Sequence, residues 1–183
     1  MTLKENLKDL LHSLINKPYV DQYVLNEFLI RSNRDDLIKF DNFTDHFCTF
    51  FLPIHIPSRS LYLVHHIKAD DWIPPGGHID KNELPLNTIK REFNEELSFR
   101  LTHEPINFFN ISIKHIVNNP RNTCKVHYDL WFTVTMKEQY DFSFLKKEFH
   151  DAKWTAIDDA IGKSHYPHIN AIYQKMKSYL FTT

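Results

Sequence analysis

The stretch from Gly77 to Phe99, GHIDKNELPLNTIKREFNEELSF, restricts the fold more than any other part of the chain. In a helix, Glu92, Glu95 and Glu96 stand at i, i+3 and i+4 and therefore share a face. Carboxylates packed this closely raise one another's pKa values and destabilise the fold unless a guanidinium or a hard divalent cation sits among them. The same helix has an apolar stripe of Leu86, Ile89, Phe93 and Leu97, and Pro85 suits its first position. The spacing predicts a helix that begins near Pro85, anchors one side and leaves an acidic flank. Arg91 lies one helical turn before Glu95, within reach of a carboxylate that it could orient.

Glycine usage points to the same region. The chain has only Gly76, Gly77 and Gly162, so two of its three glycines stand side by side just before the acidic helix. Glycine is needed where the backbone takes positive φ or approaches another group closely. A turn at Gly76-Gly77 would fold back beneath the helix and carry Glu83 toward the other carboxylates.

The stretch resembles the Nudix hydrolase box, G-x5-E-x7-R-E-U-x-E-E-x-G-U, where U is a bulky apolar residue. Gly77, Glu83, Arg91, Glu92, Phe93, Glu95, Glu96 and Phe99 occupy its positions. A solvated amphipathic helix would account for the glutamates but not for the glycine and Glu83 at their set distances. Ser98 departs from the pattern by replacing the glycine that closes the helix, where a left-handed residue is common; the expected cost is about 1 kcal/mol or less. WIPPGGHID and the segment around Trp154 also resemble parts of these proteins, so the likeness covers roughly residues 44 to 180.

The resemblance implies an α/β (α+β) fold, an α/β/α sandwich around a mixed sheet. It also implies cleavage of a diphosphate bond in a nucleoside diphosphate linked to another moiety, with Mg²⁺ or Mn²⁺ as cofactor. The residue chemistry agrees, because hard carboxylate ligands can hold a divalent ion that bridges to diphosphate oxygens while water attacks phosphorus. On this reading Glu92, Glu95 and Glu96 are the metal ligands with Glu83 in support, and Arg91 orients the set. Glu92 serves as ligand or base, and Glu92, Glu95 and Arg91 are expected to take part in catalysis. The base can also come from outside the box: Glu148 lies just before a late strand and could reach the cleft. Gly76, Gly77, His78, His127 and Asp129 are candidate substrate contacts, each with a plausible purely structural role. Trp72 and Trp154 are expected in the core.

Elsewhere, Leu3, Leu7, Leu10, Leu11 and Leu14 recur at helical spacing up to Pro18, and a second helical pattern runs through Tyr23, Val24, Phe28 and Leu29. Residues 1–40 are therefore expected to form a helical extension packed on a main domain of residues 41–183. HFCTFFLPIHI and SLYLVHH read as a hairpin turning at Pro57-Ser58-Arg59. INFFNISIKHIV and CKVHYDLWFTVTM read as strands separated by a turn at NNPRNT. In the second of these, His127, Asp129 and Trp131 alternate onto one face. A strand around HDAKWTAI and a helix through Ile169, Ile172, Met176 and Leu180 complete the pattern.

A net charge of −1 offers no argument for a nucleic-acid partner. No run approaches the roughly 18 apolar residues of a membrane span, and the first residues resemble neither a signal nor a transit peptide. Cys48 and Cys124 lie far apart and neither belongs to a CxxC pair, which argues against a cysteine knuckle and for a cytoplasmic location. The expected partner is a small nucleoside diphosphate derivative, with a homodimer open. The competing expectation is a catalytically silent Nudix domain that senses a nucleotide or metabolite. That reading would be favoured by loss of box carboxylates, and none is lost. A Nudix-fold isomerase acting on a prenyl diphosphate would need a dedicated cysteine acid/base, and nothing around Cys48 or Cys124 resembles one.

Overall fold

A computed structural model describes residues 1–116 and 124–181. The turn expected at residues 118–123 lies outside the described residues. Seven strands form one mixed sheet: β1 (Asp45–His55), β2 (Ser60–His66), β3 (Asp71–Ile73), β4 (Gly76–His78), β5 (Ile106–His115), β6 (Val126–Thr135) and β7 (Phe149–Ala156). The helices are α1 (Leu3–His12), α2 (Gln22–Arg31), α3 (Pro85–Leu97), α4 (Ile157–Ala160) and α5 (Pro167–Tyr179).

The strand order is β3-β2-β1-β6-β5, with β4 added to β1 and β7 added to β2. β1 is the hub of the sheet. It runs parallel to β6 from Asp45↔Val126 to Ile54↔Thr135. It pairs antiparallel with β4 at Cys48–Phe50 and with β2 at Ile54 and His55. The expected hairpin is therefore present, although its two strands pair only near the turn, because the first half of β1 is hydrogen-bonded to β4.

Strand alternation divides the sheet into two faces. One carries Phe47, Phe51, Tyr128 and Phe132. Phe28 of α2 packs edge-on against Phe47 and Tyr128 at 5.8 and 5.2 Å, and Phe93 of α3 stacks on Phe51 at 5.0 Å. The other face carries His46, Cys48, Phe50, His127, Asp129 and Trp131, which stand in pairwise register across β1 and β6. Lys114 of β5, paired with His127, reaches from there over the ring of Tyr166 just before α5.

Residues 1–40 share the hydrophobic core of the rest of the chain through Leu7, Leu11, Leu25 and Phe28, all buried. A buried guanidinium also ties them down: Arg31 donates to Asp45 Oδ1 at 2.5 Å, to the Asp45 carbonyl at 2.9 Å and to the Asp36 carbonyl at 2.6 Å. Asp71 of β3 accepts from the Ser164 hydroxyl at 2.6 Å and the His165 N–H at 2.9 Å, fixing the approach to α5. No helix among the described residues is long and apolar enough to cross a membrane.

Candidate active site

Helix α3 starts with Pro85 at its first position, as expected. Its buried face differs from the expected stripe. Leu86 is 40% exposed, and Thr88, Ile89, Phe93, Glu96 and Leu97 are buried instead. Near the other end of the helix Glu96, not an apolar residue, faces the backbone of β4. The helix ends at Ser98 in the left-handed region, φ 50° and ψ 33°, the conformation for which glycine is the usual choice.

Arg91 is the centre of the acidic cluster. Its Nε and Nη2 grip both oxygens of Glu83 at 2.9 and 3.0 Å. Nη1 lies 2.9 Å from Glu92 Oε1 and 3.3 Å from Glu95 Oε2, and Nη2 donates to the His78 carbonyl at 3.1 Å. One rigid fork thus joins the loop after β4 to three glutamates, a task that the planar guanidinium suits. Thr88 adds a hydroxyl donor to Glu83 Oε2 at 2.9 Å, and the Asp80 N–H a further one at 3.3 Å. Burial pushes the Glu83 carboxyl up, but these donors, Arg91 foremost, hold it below its ordinary value. The hydrogen bond to Glu83 in turn raises the Arg91 pKa.

The other carboxylates are less well compensated. Glu92 titrates above its usual range because it is buried, with Arg91 opposing and Glu95 and Glu148 adding to the rise. Glu96 is 4% exposed and is pushed well up by burial and by Glu92, with the Gly76 N–H, 2.9 Å from Oε2, as a partial offset. Glu95 is exposed.

The two glycines serve this arrangement differently. A Cβ on Gly76, where φ is +145°, would meet the Thr49 carbonyl oxygen at 2.3 Å and Phe50 Cα at 2.8 Å. A Cβ on Gly77 would lie 2.2 Å from Glu92 Oε1. Gly76 makes room for the β1 backbone, and Gly77 for a carboxylate of the cluster.

Glu148 sits in the turn before β7. That turn is fastened to the end of α3 by the Leu145 N–H on the Glu96 carbonyl at 2.8 Å. Its charge is near enough to raise both Glu92 and Glu96.

His78 and His127 come together on the opposite flank of β4, 5.4 Å apart between ring centroids, and His46 lies 5.0 Å from each. Burial drives His78 and His127 down to about 3 and lowers His46, so all three imidazoles are neutral near pH 7. Asp129 is fully buried, and burial pushes its carboxyl up to about 7. Both expected core tryptophans are only partly buried: Trp154 packs among Tyr62 and Phe142, and Trp72 stacks on His65 with Lys153 and Lys163 over its ring.

A cavity of about 530 Å³ opens beside β4, lined by Lys39, Phe40, Phe43, His78, Ile79, Asp80 and Lys81. Phe40 and Phe43 are 64% and 59% exposed, and Lys81 lies over the Phe40 ring. Sequence reasoning named His78 but missed Lys39, Phe40, Phe43 and Lys81, and Thr88 and His46 as well. Exposed phenylalanines in an otherwise polar stretch, FDNF, were the one signal available for the cavity.

The sheet, the acidic helix and its guanidinium brace set a cluster of carboxylates beside an open cavity. The NUDIX domain model matches residues 50–176, and the chain belongs to this family. It is similar to the rat asymmetrical bis(5'-nucleosyl)-tetraphosphatase, 24% identical over 122 residues, which cover 66% of this chain and 76% of the relative. Among solved structures it resembles the E. coli dihydroneopterin triphosphate pyrophosphohydrolase, with a TM-score of 0.64, 13% identity and coverage of 73% and 93% of the two chains. It also resembles a C. elegans Ap4A hydrolase, with a TM-score of 0.57, 18% identity and coverage of 73% and 97%. At these identities the structural likeness speaks for the fold.

Proposed function

We propose that the protein is a divalent-metal-dependent pyrophosphohydrolase that cleaves a diphosphate bond in a nucleoside diphosphate joined to a second moiety, with water attacking phosphorus. The observation that carries this reading is the cluster of Glu92, Glu95 and Glu96, of which Glu92 and Glu95 are held on the Arg91 guanidinium and Glu96 on the Gly76 N–H. Its donor atoms are hard oxygens, and two of its carboxyls are kept above their normal range by burial and mutual repulsion, the deficit that a divalent cation makes good. Glu92, Glu95 and Glu96 would hold Mg²⁺ or Mn²⁺, which supplies Lewis-acid stabilisation of the diphosphate oxygens.

Glu83 takes a bracing role, since both of its oxygens are spent on Arg91. Glu148, whose charge is felt by the buried pair, is the proposed acceptor of the proton from the attacking water, with Glu92 the alternative. The leaving half of the substrate lies toward the cavity beside β4. There the exposed rings of Phe40 and Phe43 offer stacking surfaces and Lys39 and Lys81 offer positive charge. The two buried thiols, Cys48 and Cys124, suit a reducing cytoplasm.

The names of the relatives set the order of assay: dinucleoside tetraphosphates and nucleoside-type triphosphates first, then nucleotide sugars, each with Mg²⁺ or Mn²⁺. Glu95→Gln, on an exposed position, should retain the wild-type melting temperature and lose at least about 100-fold in kcat/KM, on the scale of removing one transition-state electrostatic contact. If no compound is cleaved while one stabilises wild type and Glu95→Gln equally, the protein is a sensor and the proposal fails.

A further inference from the structure

Face by face, the sheet carries a second group of potential ligands that the box does not include. His46 and Cys48 come from β1, His78 from β4 and His127 from β6, and one donor atom from each lies within 4.8 Å of all the others. The strand pairing brings them together, with Cys48 opposite His78 and His46 opposite His127. Cys124 adds its sulfur, 3.7 Å from His46 Nε2 and 4.0 Å from His78 Nε2. We infer that His46, Cys48, His78 and His127 form a centre for a borderline-soft divalent transition ion, Zn²⁺ by preference, separate from the oxygen site on α3.

Three observations support a ligand set over a packing cluster. The first is tautomer control. His46 Nδ1 lies 2.8 Å from the Asn42 carbonyl, to which only an N–H can donate, so its Nε2 lone pair points away, toward Cys124. A backbone carbonyl on the remote ring nitrogen is the usual way of orienting a metal-binding imidazole.

The second is an orphan. His127 Nε2 is shielded from solvent and has no hydrogen-bond partner among the described residues, a state that costs about 1–3 kcal/mol unless something occupies the lone pair or takes the proton. Packing alone would be served better by phenylalanine or leucine, which fill much of this core.

The third is spacing. Tetrahedral Zn²⁺ has bonds of about 2.0–2.1 Å to nitrogen and about 2.3 Å to sulfur, so its ligand atoms stand roughly 3.3–3.8 Å apart. Donor atoms within 4.8 Å of one another need an inward movement of about 1 Å or less. Nitrogen and sulfur donors select against Mg²⁺, which takes oxygen. The chemistry therefore gives the two sites different ions. Four protein ligands leave no open position, which makes the centre a structural one. It would clamp β1, β4 and β6 beneath the cavity and, through Asn42, secure the segment that brings Phe40 and Phe43 to it.

The test uses the full chain, stripped with a chelator under reducing conditions and titrated with Co²⁺ and with Zn²⁺. Wild type and Glu95→Gln should each retain about one equivalent of Zn²⁺ after desalting, and Co²⁺ should give a thiolate charge-transfer band with tetrahedral d–d absorption. Zn²⁺ should also raise the melting temperature of the stripped protein. In Cys48→Ser the charge-transfer band should disappear, whereas Cys124→Ser, which changes a sulfur outside the proposed ligand set, should keep it. Affinity should fall by more than the roughly 10–100-fold typical of outer-shell changes in both Cys48→Ser and His46→Gln.

Cys48→Ser is nearly isosteric. Circular dichroism of the stripped variants against stripped wild type separates a lost ligand from a lost fold. Retention below about a tenth of an equivalent, or retention that Cys48→Ser shares in full with wild type, overturns the proposal. Neither result bears on diphosphate hydrolysis, which depends on α3.

Discussion

Gly76 and Gly77 are neighbours in sequence, yet replacing each with alanine should produce opposite failures. In Gly77→Ala the new methyl would lie 2.2 Å from Glu92 Oε1 and 2.9 Å from its Cδ, against the 3.4 Å or more of an ordinary contact. The obstruction is the far end of a flexible side chain, so Glu92 can rotate away at a folding cost of about 1 kcal/mol or less. Relief requires its carboxylate to move by more than 1 Å, away from Arg91 Nη1. A misplacement of that size costs about 100-fold in rate when the group belongs to the reacting constellation.

In Gly76→Ala the methyl meets the backbone of Thr49 and Phe50, and the residue holds φ at +145°. Overpacking of about 1–3 kcal/mol and backbone strain of similar size add to about 2–6 kcal/mol. For a domain of this length that lowers Tm by roughly 4–24 °C. The assay is a pair of melting curves together with kcat/KM on whichever diphosphate the wild type cleaves. If Gly77→Ala keeps activity within about threefold of wild type, or loses as much stability as Gly76→Ala, the assignment of Gly77 to the carboxylate is wrong.

Arg91→Lys keeps the charge but not the fork. It should lose the paired contact with Glu83 and cost about 1–3 kcal/mol, with kcat falling more than KM rises; unchanged kinetics would show that the brace is not needed. Ser98→Gly should stabilise the protein by about 0.5–1 kcal/mol by relieving a left-handed serine, read as a higher denaturant midpoint at constant slope. His168 is held down to about 4 by burial, with Lys114 adding to the effect. The native state therefore binds fewer protons than the unfolded chain between about pH 6.5 and 4, and stability from this group is full above that window and is lost as pH falls through it. With allowance for solvent at its exposed edge, the loss is about 1–2 kcal/mol. His168→Gln should flatten that part of the stability curve, and an identical acid limb in the two proteins would refute the reading.

Much of the acidic helix was legible because its information is local. Pro85, the Arg91–Glu95 spacing and the glycine pair act within one or two turns of chain, and the structure puts them where the spacing implies. The burial of Glu96 was not legible, because periodicity counts only apolar side chains and this carboxylate faces β4. The histidine cluster was invisible for a different reason. His46 and Cys48 alternate along one strand and His127 and Asp129 along another, but nothing within either strand announces that β1 and β6 lie in parallel register. The short β3 was legible only through the resemblance of WIPPGGHID to an approach strand and turn, and β4 fell in that turn, because three residues carry no period.

The hub position of β1 has a kinetic consequence. Its longest ladder joins Asp45 to Val126, a closure of about 80 residues that must precede any gain from the contacts it makes, and such non-local pairing slows folding. The acidic helix can form early from its own sequence, but the sheet that gives it something to face cannot close until β6 has been made. During synthesis the chain would therefore carry a complete box with no cleft. The acidic site would mature only after the start of the last third of the chain, which holds β6, had left the ribosome.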